Sequence, residues 1–398
     1  MILDPIEIVK QLVAIPSVNP MGGTAPGSEF LETRLTDHLE ALFERLGLRH
    51  NRQVVEPGRD NLVARLDGDV PAETGGALIL FDAHQDTVPV GGMTIEPWTP
   101  AIRDGRLYGR GSCDTKGGMA AMLAAISRLA EDRPPKMPSV VMSCSINEEY
   151  GFSGAKALTK LWTDEPDPII PRRPDAAVIA EPTALEVVVA HKGVVRWRCH
   201  ARGRAAHGSQ PEAGDNAIFK MARALTSLQH YQEEVVPRVA SHPLCGPATL
   251  SVGTIRGGTS VNIVPDLCTV ELDRRLPPGE NPEQARRHLI DFLANDPRID
   301  FPLEHEPLYM EGLPLSDDAN GPLADRLALV ASEVVGKCAK VGEPYCTNAS
   351  FFCQTGVPSV VFGPGSVEQA HTDDEWVSLE QIQQAAEVFY RFVCGWVG

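Results

Sequence analysis

Three short runs limit what this chain can fold into: ALILFDAH (77–84), SVVMSCSI (139–146) and DAAVIAEP (175–182). Each is close to continuous in apolar residues and lacks the alternation of a half-exposed strand. Strands of that kind are buried on both faces, as in parallel sheets covered by helices. GGMAAMLAAISRLAED (117–132) and AKALTKLW (155–162) lie between the runs and carry apolar residues at helical spacing. Segments at about 5–14 and 28–46 read as amphipathic helices. The rhythm returns late in the chain, with a helix about 322–335, the run PSVVFG (358–363) and a helix about 379–394. The pattern predicts an α/β fold with a doubly wound, mostly parallel sheet.

Near residue 190 the rhythm changes. VVRWRCHA (194–201) predicts a strand, 215–231 a helix, 248–255 and 267–275 strands, 281–295 a helix and 299–306 a strand. That β-α-β-β-α-β order resembles a ferredoxin-like α+β module. The expected organisation is a discontinuous first domain, 1–190 and 306–398, with a second domain inserted at 191–305.

The residues that close the apolar runs are as informative as the runs. His84 ends the first, Glu148 and Glu149 follow the second, Glu181 ends the third, and His371 follows 358–363. Asp114 stands just before the helix at 117. The carboxyl ends of parallel strands form one edge of a sheet, and ligands bind there. Singly, each residue has an ordinary explanation. His84 would be a loop residue, Asp114 a helix cap or dipole partner, Glu181 a solvated acid. Together they converge on one edge, where chance would scatter them over both.

His84 and Asp86 are two apart in an extended stretch and project to the same side. A ligating imidazole is commonly oriented by a carboxylate on its other nitrogen, the role expected for Asp86. Glycines in GRGSCDTKGGMA (109–120) would let backbone approach a metal closely. The same glycines could cradle a phosphate, but no Walker spacing is present. Imidazole and carboxylate donors suit zinc, with cobalt or manganese as alternatives. Adjacent Glu148 and Glu149 repel each other unless a dication neutralises one, and spacing leaves open which one.

Bulk properties exclude some partners. A formal net charge of -17 argues against nucleic acid and anionic membranes, which select basic surfaces. The nine cysteines include no CxxC pair, which reads as reduced thiols. The first residues lack the basic flank and apolar core of a signal peptide, and no apolar stretch nears the roughly 20 residues that span a bilayer. A cytoplasmic protein without membrane or nucleic-acid partners is the expectation.

AHQDTVP (83–89), GRGSCDTKGGMA, NEEYGFSGA, IAEPT and GPGSVEQAHTDDE follow, in order, the motifs of the dinuclear zinc exopeptidase and deacylase family. The resemblance covers nearly the whole chain. VVAHKG, YCTNAS and FGPGSVEQAH are most similar to the acetylornithine deacetylase branch. The resemblance implies two divalent metal ions. His84, Asp114 and Glu181 would hold one, and Asp114, Glu149 and His371 the other, with Asp114 bridging. It implies that Glu148 is the general base that handles the proton of the attacking water, with Asp86 supporting His84. It also implies a cis peptide between Asp114 and Thr115.

In the inserted domain, GRAAHGSQPEAGDNAI (203–218) resembles the family's lid motif. His207 there would polarise the scissile carbonyl, reaching across a homodimer. Asn262 and Arg275 would grip a substrate carboxylate, and Arg274, on the other strand face, would be solvated or paired. One position departs from the deacetylase pattern: Asn348 in YCTNAS stands where an acid is usual. If that acid receives a cationic side chain, its loss weakens a preference for ornithine. The implied activity is hydrolysis of a small N-acyl amino acid, with N-acetylornithine foremost. Desuccinylase, aminoacylase and dipeptide or glutamate carboxypeptidase activities are alternatives on the same machinery. A non-catalytic metal-binding protein is the alternative of another class.

Overall fold

The computed structural model describes residues 1–164 and 167–396. The chain forms two compact units, Met1–Val189 with Asp317–Val341 and Thr347–Gly398, and Ala190–Ser316 with Gly342–Cys346.

The first unit is organised by an eight-stranded mixed sheet. Its spatial order is Arg49–Glu56, Arg59–Leu66, Ser139–Ser145, Leu78–His84, Ala176–Ile179, Ser359–Val361, Val187–His191 and Lys340–Glu343. The four strands from Ser139–Ser145 to Ser359–Val361 pair parallel, and the Arg49–Leu66 hairpin adds antiparallel strands at one edge. Every residue of Leu78–His84, Ser139–Ser145 and Ala176–Ile179 is buried, as unbroken apolar runs require. Gly117–Asp132 packs with Leu379–Cys394 and Pro5–Val13, and Ser153–Thr163 packs with Ala349–Gln354. Phe389 stacks on Phe81 at 5.3 Å and meets Phe362 edge-on at 5.6 Å, tying the last helix to the central strands.

Register places the functional edge. His84 pairs with Ser145, so Glu148 and Glu149 fall just past the end of the neighbouring strand. Ile179 pairs with Asp82, which brings Glu181 level with His84 on the other side.

The Arg49–Glu56/Arg59–Leu66 hairpin is not evident from apolar patterning. Its first strand has no fully buried residue, and its second buries charged residues. Arg59 pairs with the buried Glu32, and Arg65 pairs with Asp67 at 2.7 Å and Glu73 at 2.5 Å. Partners supplied from elsewhere in the chain let guanidinium groups sit where an aliphatic residue would otherwise be needed.

In the second unit the strand order is Thr249–Gly257, Leu267–Leu276, Gly193–Arg202, Leu303–His305, all antiparallel. Ala217–His230 and Pro282–Ala294 supply its two helices, and Trp197, Met221, Leu228, Tyr231, Leu272 and Leu289 share its core. In chain order this is the β-α-β-β-α-β arrangement. The expected strand at 299–306 is only Leu303–His305. Beyond the expected limit at 305, the unit continues to Ser316, because Met310–Gly312 also pairs with Gly193–Arg202. Gly342–Cys346 joins it, with Lys192 N–H donating to Glu343 O at 3.1 Å.

Candidate metal centre

Two donor triads lie at the carboxyl edge of the parallel strands. One ligand atom from each of His84, Asp114 and Glu181 lies within 4.8 Å of the others, and the same holds for Asp114, Glu149 and His371. Asp114 belongs to both. Its Oδ1 is 3.0 Å from His84 Nε2, and its Oδ2 is 3.3 Å from His371 Nε2. Glu181 Oε1 stands 4.0 Å from His84 Nε2, and Glu149 Oε2 stands 3.2 Å from His371 Nε2. The Asp114–Thr115 peptide is cis. Glu148 is buried beside the cluster and belongs to neither triad.

The donor set fits divalent cations. Three carboxylates, of Asp114, Glu149 and Glu181, meet two imidazoles in the triads, with the Glu148 carboxyl beside them; His84 is buried and the His371 side chain is half-exposed. Burial pushes the Glu148 carboxyl well above its ordinary range, with His84 opposing and Glu149 adding to the rise. Glu181 is also driven well up by burial, reinforced by the Asp114 charge. His371 would be lowered by burial, yet the Asp114 and Glu149 carboxylates raise it to about 11. His84 is raised too, its burial outweighed by hydrogen bonds to Asp114 and Asp86. A group of like charges this strongly coupled to its few cations is what dications balance.

His84 Nδ1 donates to the backbone carbonyl of Asp86 at 2.9 Å, which leaves Nε2 facing the triad as a lone-pair donor. The Asp86 carboxylate is farther from that nitrogen, at 3.6 Å. Its oxygens instead accept from the N–H groups of Glu148 and Glu149, both at 3.1 Å, and from Asn19 Nδ2 at 2.8 Å. Asp86 therefore fixes the turn that carries the two glutamates, while its main chain sets the His84 tautomer. Burial would raise its pKa, but His84, Arg59 and Asn19 hold it at about 2. The two-residue spacing to His84 gave no sign of this clamp, whose partners are Glu148, Glu149 and Asn19.

The remaining expected site residues belong to the second unit. His207 lies on the short strand Ala206–His207, opposite Ile263, with Nδ1 2.7 Å from Ser209 Oγ. Gly208 N–H donates to Asn262 O at 2.8 Å, so His207 and Asn262 share one turn-and-bridge assembly. Arg275 stands on Leu267–Leu276 and holds Asp273 through Nε at 2.7 Å. Arg274 is fully buried and pairs with Glu280.

Asn348 belongs to the first unit and is buried at the start of Ala349–Gln354. Its Nδ2 donates to Asp82 Oδ2 at 2.9 Å and Ser145 Oγ at 3.0 Å. Its amide nitrogen is thus engaged in a buried network with Asp82 and Ser145, while its Oδ1 has no hydrogen-bond partner among the described residues.

Residues 80–394 match the model of Peptidase family M20/M25/M40. The chain is 30% identical over 397 residues to an acetylornithine deacetylase of Proteus mirabilis (strain HI4320), covering 98% of this chain and 95% of that one. The M20 family metallo-carboxypeptidase Sso-CP2 of Sulfolobus solfataricus superimposes with a TM-score of 0.78 at 17% identity, covering 98% of this chain and 99% of that one. YXEP of Bacillus subtilis, a dinuclear metal binding peptidase from the M20 family, superimposes with a TM-score of 0.63 at 16% identity, covering 98% and 96%.

Proposed function

The chain belongs to peptidase family M20/M25/M40 and is a metal-dependent amide hydrolase, and within that class we propose that it is a two-metal deacylase of N-acyl amino acids. The observation that carries this reading is the pair of donor triads that share Asp114, with Glu148 beside them and in neither. His84, Asp114 and Glu181 would hold one cation, and Asp114, Glu149 and His371 the other. Zinc suits these donors, with cobalt or manganese as alternatives. Bound there, two divalent cations lower the pKa of an attacking water and offset charge on the carbonyl oxygen.

The chain's own groups do the rest. Glu148 takes the proton of the water and returns it to the departing amine. Asp86 keeps both glutamates oriented by anchoring their N–H groups. His207 donates to the oxyanion, and Asn262 and Arg275 hold the substrate α-carboxylate. A full complement of donors and base weighs against the non-catalytic alternative.

N-acetylornithine is the leading substrate, supported by the 30% identity to acetylornithine deacetylases. That assignment would place the enzyme in arginine biosynthesis, in the cytoplasm. Desuccinylase, aminoacylase and dipeptide or glutamate carboxypeptidase activities remain the alternatives on this machinery. Release of amine from a panel of N-acetyl and N-succinyl amino acids and dipeptides separates them. The α-carboxylate requirement is tested with acid and amide pairs. Arg275→Ala should lower kcat/KM for the acids by about 10- to 10²-fold, the value of a hydrogen bond to a charged group, and hardly change the amides. Equal losses on both would assign Arg275 to the fold alone, through Asp273.

Homodimerisation through the second unit is part of the same proposal. Thr249–Gly257 is an edge strand with mostly exposed residues, and Phe219, Ile255 and Val261 are exposed beside Ile218 and Ile263. An unpaired edge with apolar neighbours is suited to pairing with a copy of itself. Light scattering at micromolar concentration should give twice the chain mass, and Phe219→Glu with Ile255→Asp should give monomers of low activity. Fully active monomers would refute both the dimer and a role for His207 across subunits.

A further inference from the structure

Glu375, four residues after His371, is completely buried and accepts four hydrogen bonds. Oε1 takes the N–H groups of Cys113 at 2.9 Å and Asp114 at 3.0 Å. Oε2 takes Gly111 N–H at 3.0 Å and Arg110 Nη1 at 2.6 Å. The main chain joins in, with Gly109 N–H donating to Glu375 O at 3.0 Å. Arg110 Nη2 in turn reaches Thr372 O at 3.3 Å, beside His371.

These contacts answer a local problem. The loop that presents Asp114 has Gly111 at φ +79° and Asp114 at φ -119°, ψ 95°, so no ladder or helix can take up its N–H groups. Buried N–H groups left without acceptors would destabilise the loop. One carboxylate accepts from three of them and from Arg110 Nη1.

We propose that Glu375 is a positioning residue of the metal centre: it sets the loop that presents Asp114 and locks that loop to the turn that presents His371. The inference rests on the reading of Asp114 and His371 as ligands. Glu375 touches neither metal-facing oxygen of Asp114 and acts through the backbone. Both triads include Asp114, so a shift in this loop would disturb both. Glutamine cannot replace the carboxylate, because its NH2 group would face two donors on whichever side it lies. Aspartate is one methylene too short to reach all four donors from the same backbone.

The test compares wild type, Glu375→Gln and Arg110→Met. Arg110→Met removes the ion pair but leaves three backbone N–H groups on Glu375. In metal-free protein, amide exchange over 109–116 should speed up in Glu375→Gln and stay slow at 113 and 114 in Arg110→Met. Cobalt(II) titration, followed by absorption, should show affinity reduced by about 10- to 100-fold in Glu375→Gln with altered bands, the usual effect of losing a group that supports a ligand. Arg110→Met should melt earlier while its cobalt affinity and spectrum stay close to wild type. Protected amides and wild-type cobalt binding in Glu375→Gln would overturn the proposal. So would equal affinity losses in the two variants, which would trace the effect to lost stability. A wild type that binds no cobalt would instead refute the metal-centre reading, while the exchange comparison would still decide whether Glu375 holds the loop.

Discussion

Dialysis against a chelator should bring amide hydrolysis down to background, and zinc or cobalt at two ions per chain should restore it. The expectation follows from charge. Asp114, Glu148, Glu149 and Glu181 crowd at one strand edge beside His84 and His371. Burial pushes Glu148 and Glu181 up, and His371, which burial alone would lower, is raised to about 11 by the carboxylates around it. Divalent cations held by the two triads would balance that charge. Binding only to the folded state, they should also raise Tm, with a stabilisation of about 2.7 kcal/mol at a hundredfold excess over Kd. Full activity in verified metal-free protein would refute the mechanism. Complete recovery at one ion per chain would refute the shared role of Asp114.

Glu148→Gln should lower kcat by about 10²- to 10⁴-fold, the range for a lost general acid–base group, with metal content unchanged. Glu149→Gln should lose metal first and activity as a consequence. The contrast rests on place and not on residue type. Glu149 Oε2 is 3.2 Å from His371 Nε2 and its carboxylate completes a triad with Asp114, whereas Glu148 contributes to neither triad. Both N–H groups are held by Asp86, so either substitution should leave the turn in place. Metal analysis alongside single-turnover rates separates the two outcomes. Metal loss in Glu148→Gln with retention in Glu149→Gln would exchange the two roles.

Much of the first unit was legible because burial on both faces leaves a simple mark. A strand such as Leu78–His84, covered on both sides, has to be apolar throughout, and helical spacing in Gly117–Asp132 is as plain. The Arg59–Leu66 strand left no such mark, since Arg59 and Arg65 are buried only by virtue of partners contributed by other segments. Nor did sequence show that the Asn348 amide nitrogen meets Asp82, 266 residues away.

By itself the sequence determined the alternation of strands and helices, the residue types gathered at strand ends, and the change of rhythm that marks the second unit. These depend on local periodicity and on which side chains water must not reach. Tertiary structure decided the partners. Which of two adjacent glutamates joins a triad depends on His371, 222 residues away, and the support of Asp114 comes from Glu375, 261 residues away. Asp86 lies near His84, at 3.6 Å, as the spacing suggests, but only the His84–Ser145 register sets the glutamate turn where the same carboxylate also holds it. Hydrogen bonds and ion pairs act over a few ångströms, and only the folded sheet brings such distant residues within that range.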